Sequence, residues 1–267
     1  MFKDLKGMKY VVGLVHLKPM PGTPLYTEGD FDLSMEKALK DTRALLDGGA
    51  DGCLLQTVDK IYPSGDDTDY ARLSAMAVIT HEVRKLVKNR EFKIGVQLMW
   101  NCITPSLAVA KVCGADFVRC TAMVGSTQSP FGTINADPLK IQTYRRYISA
   151  GNIAMIAEIQ GYHFKGEYSP DSLRNLAISA KTVGADAVEI MDKDEEMNNR
   201  MVHDLKTMKG SLPVVLGGGT DLENVRRRMK EADMALVGSC FENGNWGGNI
   251  DPETVKEYTG LVRSIQG

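Results

Sequence analysis

Long apolar runs are missing from this sequence: no stretch approaches the ~18–20 consecutive apolar residues that a membrane-spanning helix requires. The first seven residues, MFKDLKG, also lack the apolar segment of a secretory signal, so the predicted location is the cytoplasm. A basic excess is missing as well, because 32 Lys and Arg face 34 Asp and Glu, for a formal net charge of −2. Broad nucleic-acid binding is therefore not expected, although this charge is compatible with a local phosphate site.

Cysteine is scarce and scattered. The five cysteines form no C-x-x-C pair, which argues against a disulfide framework and against a zinc ribbon, so we expect reduced, buried thiols. With 43% hydrophobic and 25% charged residues, the composition is that of a folded globular protein. A length of 267 residues suits one barrel of alternating strands and helices.

A short motif recurs along the chain. Gly-Ala-Asp occurs at 49–51, 114–116 and 184–186, and Glu-Ala-Asp takes the equivalent place at 231–233. Each copy follows a helical pattern and precedes a short apolar run. Glycine tolerates the left-handed conformation that ends a helix, after which the chain turns into a buried strand. The repeat therefore predicts alternating helices and strands in a single α/β domain over residues 1–267.

Eight short apolar runs are predicted to be strands, and their lack of strict alternation is typical of parallel strands covered by helices. Eight strand–helix units in this length favour a (β/α)8 TIM barrel over a doubly wound open sheet. The predicted strands are 10–16, 52–56, 93–99, 117–120, 154–159, 187–191, 213–217 and 234–237. The predicted helices are 34–46, 70–87, 105–112, 138–149, 170–183, 195–208 and 222–230, with a last helix after the Asp-Pro at 251–252.

Glycine-rich segments follow the seventh and eighth predicted strands, where barrels of this class bind phosphate. Glycines let backbone N–H groups approach an anion, and the helix near residue 222 would add a favourable dipole. The alternative is an ordinary strand-to-helix turn. The glycine-rich loop 241–250 is either a mobile flap over the ligand or a connection packed on the barrel top. The predicted substrate-binding residues are Gln56, Gly217, Gly218, Gly219, Thr220, Gly238, Ser239 and Trp246.

Two carboxylates stand out at the carboxyl ends of the strands. Glu158 lies inside an apolar strand and Asp192 directly follows the next one, and an ionised group there is costly unless it is paired or coordinated. The two can act as acid and base or hold a divalent metal such as Mg²⁺, and a salt bridge with Arg119 is the structural alternative. His16 and His163 are either acid–base groups or structural and solvated histidines. The predicted catalytic residues are Glu158, Asp192, His16, Asn101 and Arg119.

Residues 13–22, GLVHLKPMPG, resemble the N-terminal signature of the BtpA family, which includes photosystem I biogenesis factors and SgcQ-like proteins. Further segments resemble family segments in the same order: GADG at 49–52, GVQLMWN at 95–101, GADFVR at 114–119, and VGS at 237–239 followed by GNWG at 244–247. The resemblance covers nearly the whole chain. It implies a barrel related to ribulose-phosphate-binding enzymes, without a defined reaction. The chain departs from the family pattern at Gln97, Cys102 and Glu158, at the expected active-site end.

Two classes of function remain open. The first is an enzyme on a small phosphorylated metabolite, such as a sugar-phosphate isomerase, aldolase or lyase. Lys193 is the only lysine close behind a late strand, so it is either a Schiff-base residue or an exposed loop residue. The second, implied by the resemblance, is a non-catalytic assembly factor for a photosystem or membrane complex. A P-loop hydrolase is disfavoured because no G-x-x-x-x-G-K-[ST] motif is present, and a homo-oligomer is expected by fold analogy.

Overall fold

A computed structural model describes residues 9–89 and 91–265, so the segment 1–7 used above to predict the location lies outside it. The strands are β1 (Tyr10–Leu17), β2 (Gly52–Thr57), β3 (Lys93–Gln97), β4 (Phe117–Cys120), β5 (Ser126–Ser129), β6 (Gly132–Asn135), β7 (Ala154–Gln160), β8 (Ala187–Ile190), β9 (Val214–Leu216) and β10 (Met234–Val237). The helices are α1 (Asp30–Asp47), α2 (Tyr70–Leu86), α3 (Ile103–Cys113), α4 (Pro138–Tyr147), α5 (Pro170–Thr182), α6 (Glu195–Lys206), α7 (Val225–Arg228) and α8 (Pro252–Arg263).

Eight parallel strands close into a barrel in the order β1-β10-β9-β8-β7-β4-β3-β2. Helices alternate with these strands along the chain, which confirms the predicted (β/α)8 fold. All described helices, within residues 9–89 and 91–265, are too short or too polar to cross a lipid bilayer.

The structure differs from the prediction in three places. The third strand ends at Gln97 instead of residue 99, because the N–H groups of Leu98 and Met99 leave the ladder and donate to the hydroxyls of Ser106 and Thr57, at 2.9 and 3.0 Å. An antiparallel hairpin, β5–β6, follows β4 and had not been predicted, since its short strands are polar. The helix predicted over 222–230 is a single turn, α7.

The Gly-Ala-Asp repeat fastens the amino-terminal end of the barrel. Its three glycines have positive φ angles of 77°, 71° and 91°, which lets each helix end and the chain reverse into a strand. In all four copies the aspartate carboxylate accepts a hydrogen bond of 2.7–2.9 Å from the backbone N–H of the preceding barrel strand. The pairs are Asp51 with Val11, Asp116 with Ile94, Asp186 with Met155, and Asp233 with Val214. The repeat is therefore structural.

Two apolar layers hold the fold together. One lies between the outer faces of the strands and the helices. The other fills the lower part of the barrel interior with side chains such as Leu54, Phe117, Ile156 and Leu236. Gly95 belongs to this interior, since a Cβ there would stand 2.3 Å from the Phe117 ring. The packed lower interior leaves space only towards the carboxyl ends of the strands.

Candidate active site

The upper layer of the barrel interior is polar. Side chains alternate along a strand, so the residue two positions beyond an inward apolar side chain also points inward. In β1 this leads from Leu14 to His16, and in β4 from Phe117 to Arg119. The inward residues at or just beyond the carboxyl ends of the eight strands are His16, Gln56, Gln97, Arg119, Glu158, Glu189, Gly217 and Gly238.

A cavity of about 860 Å³ opens above this layer, a volume within the usual range of small-molecule sites. The predicted residues in its wall are His16, Gln56, Arg119, Gly217, Gly218, Gly219, Thr220, Gly238, Ser239 and Trp246. Glu158, Asp192 and Asn101 are outside this wall. The structure thus places the glycine segments and the histidine of the first strand at one opening.

Arg119 occupies the centre of the polar layer and is 2% exposed. Its Nε and Nη2 donate to the two oxygens of Glu189 at 2.7 and 2.5 Å, a bidentate pair. A second carboxylate also lies close to Arg119: Glu158 Oε2 is 3.8 Å from Nη2. Burial lowers the pKa of Arg119, but the two carboxylates outweigh burial and raise its pKa overall. Arg119 is therefore a permanent cation between two buried acids.

Glu158 holds His163 against the cavity. Its Oε2 accepts a hydrogen bond from His163 Nδ1 at 2.9 Å, and its Oε1 accepts the backbone N–H groups of His163 and Phe164 at 2.8 and 3.3 Å. His163 lines the cavity although Glu158 itself is fully buried beneath it. The carboxylate thus fixes the imidazole through Nδ1, which leaves Nε2 for a ligand.

The two buried glutamates have opposite pKa shifts. Burial raises the pKa of Glu158, but the charge and hydrogen bonds of His163, together with Arg119, lower it to about 2. Burial raises the pKa of Glu189, an effect that Arg119 only partly offsets and that the Glu158 carboxylate reinforces. Carboxyl groups whose pKa values are pushed apart are typical of acid–base sites, and they also occur in structural ion-pair networks.

Glu158 makes the stability of the fold acid-sensitive. Its folded-state pKa lies below its ordinary value of 4.5, so its contribution is fully present above pH 4.5 and is lost as pH falls towards about 2. Between pH 5 and pH 2, we expect the free energy of unfolding to fall by about 3 kcal/mol more in the wild type than in Glu158→Gln. Urea unfolding across this range measures both curves. Equal acid losses in the two proteins would contradict this assignment.

A second histidine is held in the same way from the far end of the chain. His16 Nδ1 donates to Glu242 Oε1 at 2.9 Å, and both residues are buried. The other oxygen, Oε2, accepts the N–H of Gly247 at 3.1 Å and so fastens the loop after β10. From that loop Trp246 places its ring 5.1 Å from the His16 ring and stays 55% exposed at the opening. Two His–Glu dyads therefore face one cavity.

The glycines after β9 and β10, the glycine rim (217–219 and 238), make room for the polar side chains of Glu189 and His16. A Cβ on Gly217 would stand 2.0 Å from Glu189 Oε1, and one on Gly238 would stand 3.0 Å from His16 Cε1. Gly218 and Gly219 have φ angles of 133° and 72°, which favour glycine. Because α7 is one turn that starts at Val225, the predicted helix dipole is weaker here than the sequence suggested.

Arg228 and Thr220 complete the surroundings of the glycine rim. Arg228 is 4% exposed and donates to the carbonyls of Asp192 and Lys193 at 2.8 and 2.7 Å, so its positive charge lies buried behind the loop. A Cβ on Gly219 would be 3.3 Å from its guanidinium. The Thr220 hydroxyl accepts a hydrogen bond of 2.8 Å from the buried Tyr258 hydroxyl, which anchors the loop to α8.

Besides Glu158, two predicted residues lie outside the cavity wall, Asp192 and Asn101. Asp192 lies three positions after Glu189, hence on the opposite face of an extended chain, and its Oδ1 accepts the N–H of Asp194 where α6 begins. Asn101 is buried, and its Oδ1 accepts the N–H of Ala122 at 2.8 Å, which ties two loops together. Over residues 9–89 and 91–265, no group of three or more His, Cys, Asp or Glu side chains is arranged to hold a metal ion.

Sequence reasoning missed Glu189, Gln97 and Glu242 as site residues. The first two could have been found by parity, because each lies two positions beyond an inward small residue of its strand, Ala187 or Gly95. No local signal marks Glu242, which meets its histidine across 226 positions of the chain. Only closure of the barrel brings β1 beside β10.

The profile of the BtpA family matches residues 7–264. The chain belongs to the BtpA family. An uncharacterized BtpA-like relative from Archaeoglobus fulgidus is 32% identical over 97% of this chain and 99% of its own length. The photosystem I biogenesis protein BtpA of Synechocystis sp. is 26% identical over 97% of this chain and 89% of its own.

Solved structures bear on the fold of this BtpA-family chain. Phosphoribosyl anthranilate isomerase, solved in complex with reduced 1-(o-carboxyphenylamino)-1-deoxyribulose 5-phosphate, superposes with a TM-score of 0.58 at 13% identity, covering 96% of this chain and all of its own. At this identity the likeness supports the TIM-barrel fold alone.

Proposed function

We propose that this chain is an enzyme that binds a small phosphorylated sugar and transfers protons on it, as an isomerase does. The observation that carries the proposal is the pair of dyads, His16–Glu242 and His163–Glu158, at one cavity. A carboxylate that accepts Nδ1–H keeps Nε2 available as a base and stabilises the imidazolium that forms when Nε2 gains a proton.

An aldose–ketose isomerisation needs these two groups and no oxidant. One neutral imidazole removes the proton from the hydroxyl-bearing carbon beside a carbonyl, while the other, protonated, gives a proton to the carbonyl oxygen. The resulting enediol then returns through the reverse transfers at the neighbouring carbon, so that each histidine recovers its starting state. A Schiff-base aldolase is disfavoured, because no lysine is among the described residues of the cavity wall and Lys193 is exposed.

The glycine rim is the proposed phosphate site. Glycine backbone can approach an anion closely, the buried Arg228 guanidinium lies directly behind it, and the loops after the last two barrel strands are where barrels of this class bind phosphate. Arg119 is already engaged by two carboxylates, so we assign it to positioning of the His163–Glu158 dyad and not to phosphate binding.

Ser239 offers a test of this phosphate site, because it is exposed at the rim and lines the cavity. Ser239→Asp places a negative charge beside the bound phosphate, and we expect about 10–100-fold weaker binding of inorganic phosphate and of ribose 5-phosphate. The asparagine of Ser239→Asn has nearly the shape of aspartate without its charge. This variant should therefore bind phosphate and ribose 5-phosphate nearly as tightly as the wild type does. Isothermal titration measures all three proteins. If the Asp variant bound phosphate as tightly as the Asn variant, the phosphate would have to sit elsewhere.

A thermal-shift screen of phosphorylated sugars, with and without Mg²⁺, identifies the substrate, since a ligand that binds only the folded state raises the unfolding temperature. Hits are then assayed for exchange of the carbon-bound proton with solvent deuterium by NMR, which reports enediol formation directly. A hit whose exchange requires Mg²⁺ would add a metal to this site.

The alternative is an assembly factor, as the name of the Synechocystis relative suggests for that protein. One observation favours it here: α4 exposes Leu139 and Tyr147, at 78% and 84% of their surface. The two functions separate in the same screen. Absence of any phosphorylated ligand, together with no proton exchange, would favour the assembly factor and end the isomerase proposal.

A further inference from the structure

Opposite the glycine rim, the cavity has a wall that the proton chemistry does not use. In the closed order of the barrel, β3 and β4 stand across from β9 and β10. Gln97 ends β3, between Gln56 on β2 and Arg119 on β4, and both of these neighbours line the cavity. Trp100 follows β3 and lines the cavity itself.

Two side chains here have buried polar atoms without partners: Trp100, which lines the cavity, and Gln97, which lies directly behind the lining residues. Gln97 is 1% exposed, and neither its Oε1 nor its Nε2 has a hydrogen-bond partner among the described residues. The indole Nε1 of Trp100 has none within the same described ranges. Buried polar atoms are nearly always paired, because an unpaired one loses its bonds to water without compensation. The N–H group of Trp100 Nε1, the NH₂ group of Gln97 Nε2 and the carbonyl oxygen Gln97 Oε1 are thus available to hydrogen-bond a polar partner.

The same wall is aromatic and rigidly supported. The Trp100 ring lies 5.7 Å from Tyr62, 5.5 Å from Phe131 and 5.0 Å from His163, between centroids. Phe131 comes from the tip of the β5–β6 hairpin and packs edge-on against Tyr62 at 5.3 Å. His163 and Tyr162 continue the wall on the cavity side. These rings meet at interplanar angles of 60–84°, so the wall offers separate ring faces and edges together with a few polar atoms. Such a surface complements a flat ring better than it complements a chain of hydroxyls.

We infer that this wall is a recognition subsite for a planar heteroaromatic ring, so that the phosphorylated sugar carries such a ring. The inference rests on the proposed function for the position of the phosphate. In this arrangement the phosphate lies at the glycine rim, the sugar lies between the two dyads, and the ring packs on the cavity-lining Tyr162 and His163 rings, with its edge atoms turned towards Trp100 Nε1 and Gln97. Trp100 and Gln97 are then the residues that decide specificity.

Binding of three kinds of probe tests this subsite: inorganic phosphate, ribose 5-phosphate and the four common ribonucleoside 5′-monophosphates. We expect at least one monophosphate to bind about tenfold or more tightly than ribose 5-phosphate, because base stacking adds to phosphate binding. Trp100→Phe keeps the ring and removes the N–H, so it should weaken that monophosphate by about three- to tenfold and leave ribose 5-phosphate unchanged. Tyr70→Phe is the matched control: Tyr70 is 86% exposed at the start of α2 and outside the cavity wall, so removing its hydroxyl should leave both affinities unchanged.

Fluorescence gives a second readout that does not depend on the Trp100 variant. The chain has two tryptophans, so Trp246→Phe leaves Trp100 as the only indole, and its emission should change with the monophosphate and not with ribose 5-phosphate. Equal affinities for monophosphates and ribose 5-phosphate, or an affinity ratio that Trp100→Phe leaves intact, would overturn the subsite while the phosphate site stands. Tight binding of the unphosphorylated nucleosides without any binding of phosphate would support the subsite and overturn the proposed function.

Discussion

Arg119→Met is expected to lower the free energy of unfolding by about 3–5 kcal/mol at pH 7, because it leaves two buried carboxylates without their shared cation. Glu189 loses both hydrogen bonds from Arg119, and Glu158 keeps His163 and the backbone N–H of Phe164 but no permanent cation. Methionine fills most of the space of the arginine stem, so the loss reports charge and not a cavity. Urea unfolding monitored by circular dichroism measures the change.

The matched control is the double variant Arg119→Met with Glu189→Gln. Removing the orphaned charge should restore about half or more of the lost stability, since the penalty comes from burying an unpaired carboxylate. If Arg119→Met unfolded at the same urea concentration as the wild type, the central ion-pair cluster would not contribute to the stability of the fold.

His163→Gln is expected to lower kcat by about 10²–10⁴-fold on the phosphorylated sugar that the screen identifies, because it removes a proton-transfer group from the cavity. Glu158→Gln should lower kcat in the same direction by a smaller factor, since the imidazole remains but loses its orienting carboxylate. Binding of inorganic phosphate should persist in both variants, because other strands build the glycine rim.

A surface pair provides the control for this experiment. His203 Nδ1 lies 3.1 Å from Glu231 Oε2, and the His203 side chain is 61% exposed on α6. His203→Gln removes a His–Glu pair of the same composition far from the cavity wall, and it should leave kcat unchanged. Full turnover by His163→Gln would show that the dyad on β7 is structural, and the isomerase proposal would then fall.

Local sequence was sufficient for the architecture. Each Gly-Ala-Asp copy stops a helix with a positive-φ glycine and starts a buried strand, and the recurrence of this pattern predicts alternating helices and strands. The structure has eight parallel strands at the predicted places. Their ends differ by a few residues, for example where the hydroxyls of Ser106 and Thr57 accept hydrogen bonds from the backbone after β3. The polar β5–β6 hairpin was not predicted, because apolar–polar alternation is too weak a signal in strands of four residues.

Part of the candidate site was likewise predictable from the sequence, and part was not. The glycine segments and His16 follow from strand order, because the carboxyl ends of parallel strands meet at one rim. Asp192 is predicted in place of Glu189 because it directly follows a strand, without regard to the face of the sheet on which its side chain lies. Parity within the strand would have selected Glu189.

The sequence by itself determined the barrel, its order of elements and the end at which the cavity opens, since these depend on patterns read over ten or twenty neighbouring residues. Only the tertiary structure decided which charges meet: Glu242 with His16, Glu158 with His163, and Arg119 between two acids. Such pairs form through space between strands far apart in the chain, and their energies depend on a burial that exists only after the barrel has closed.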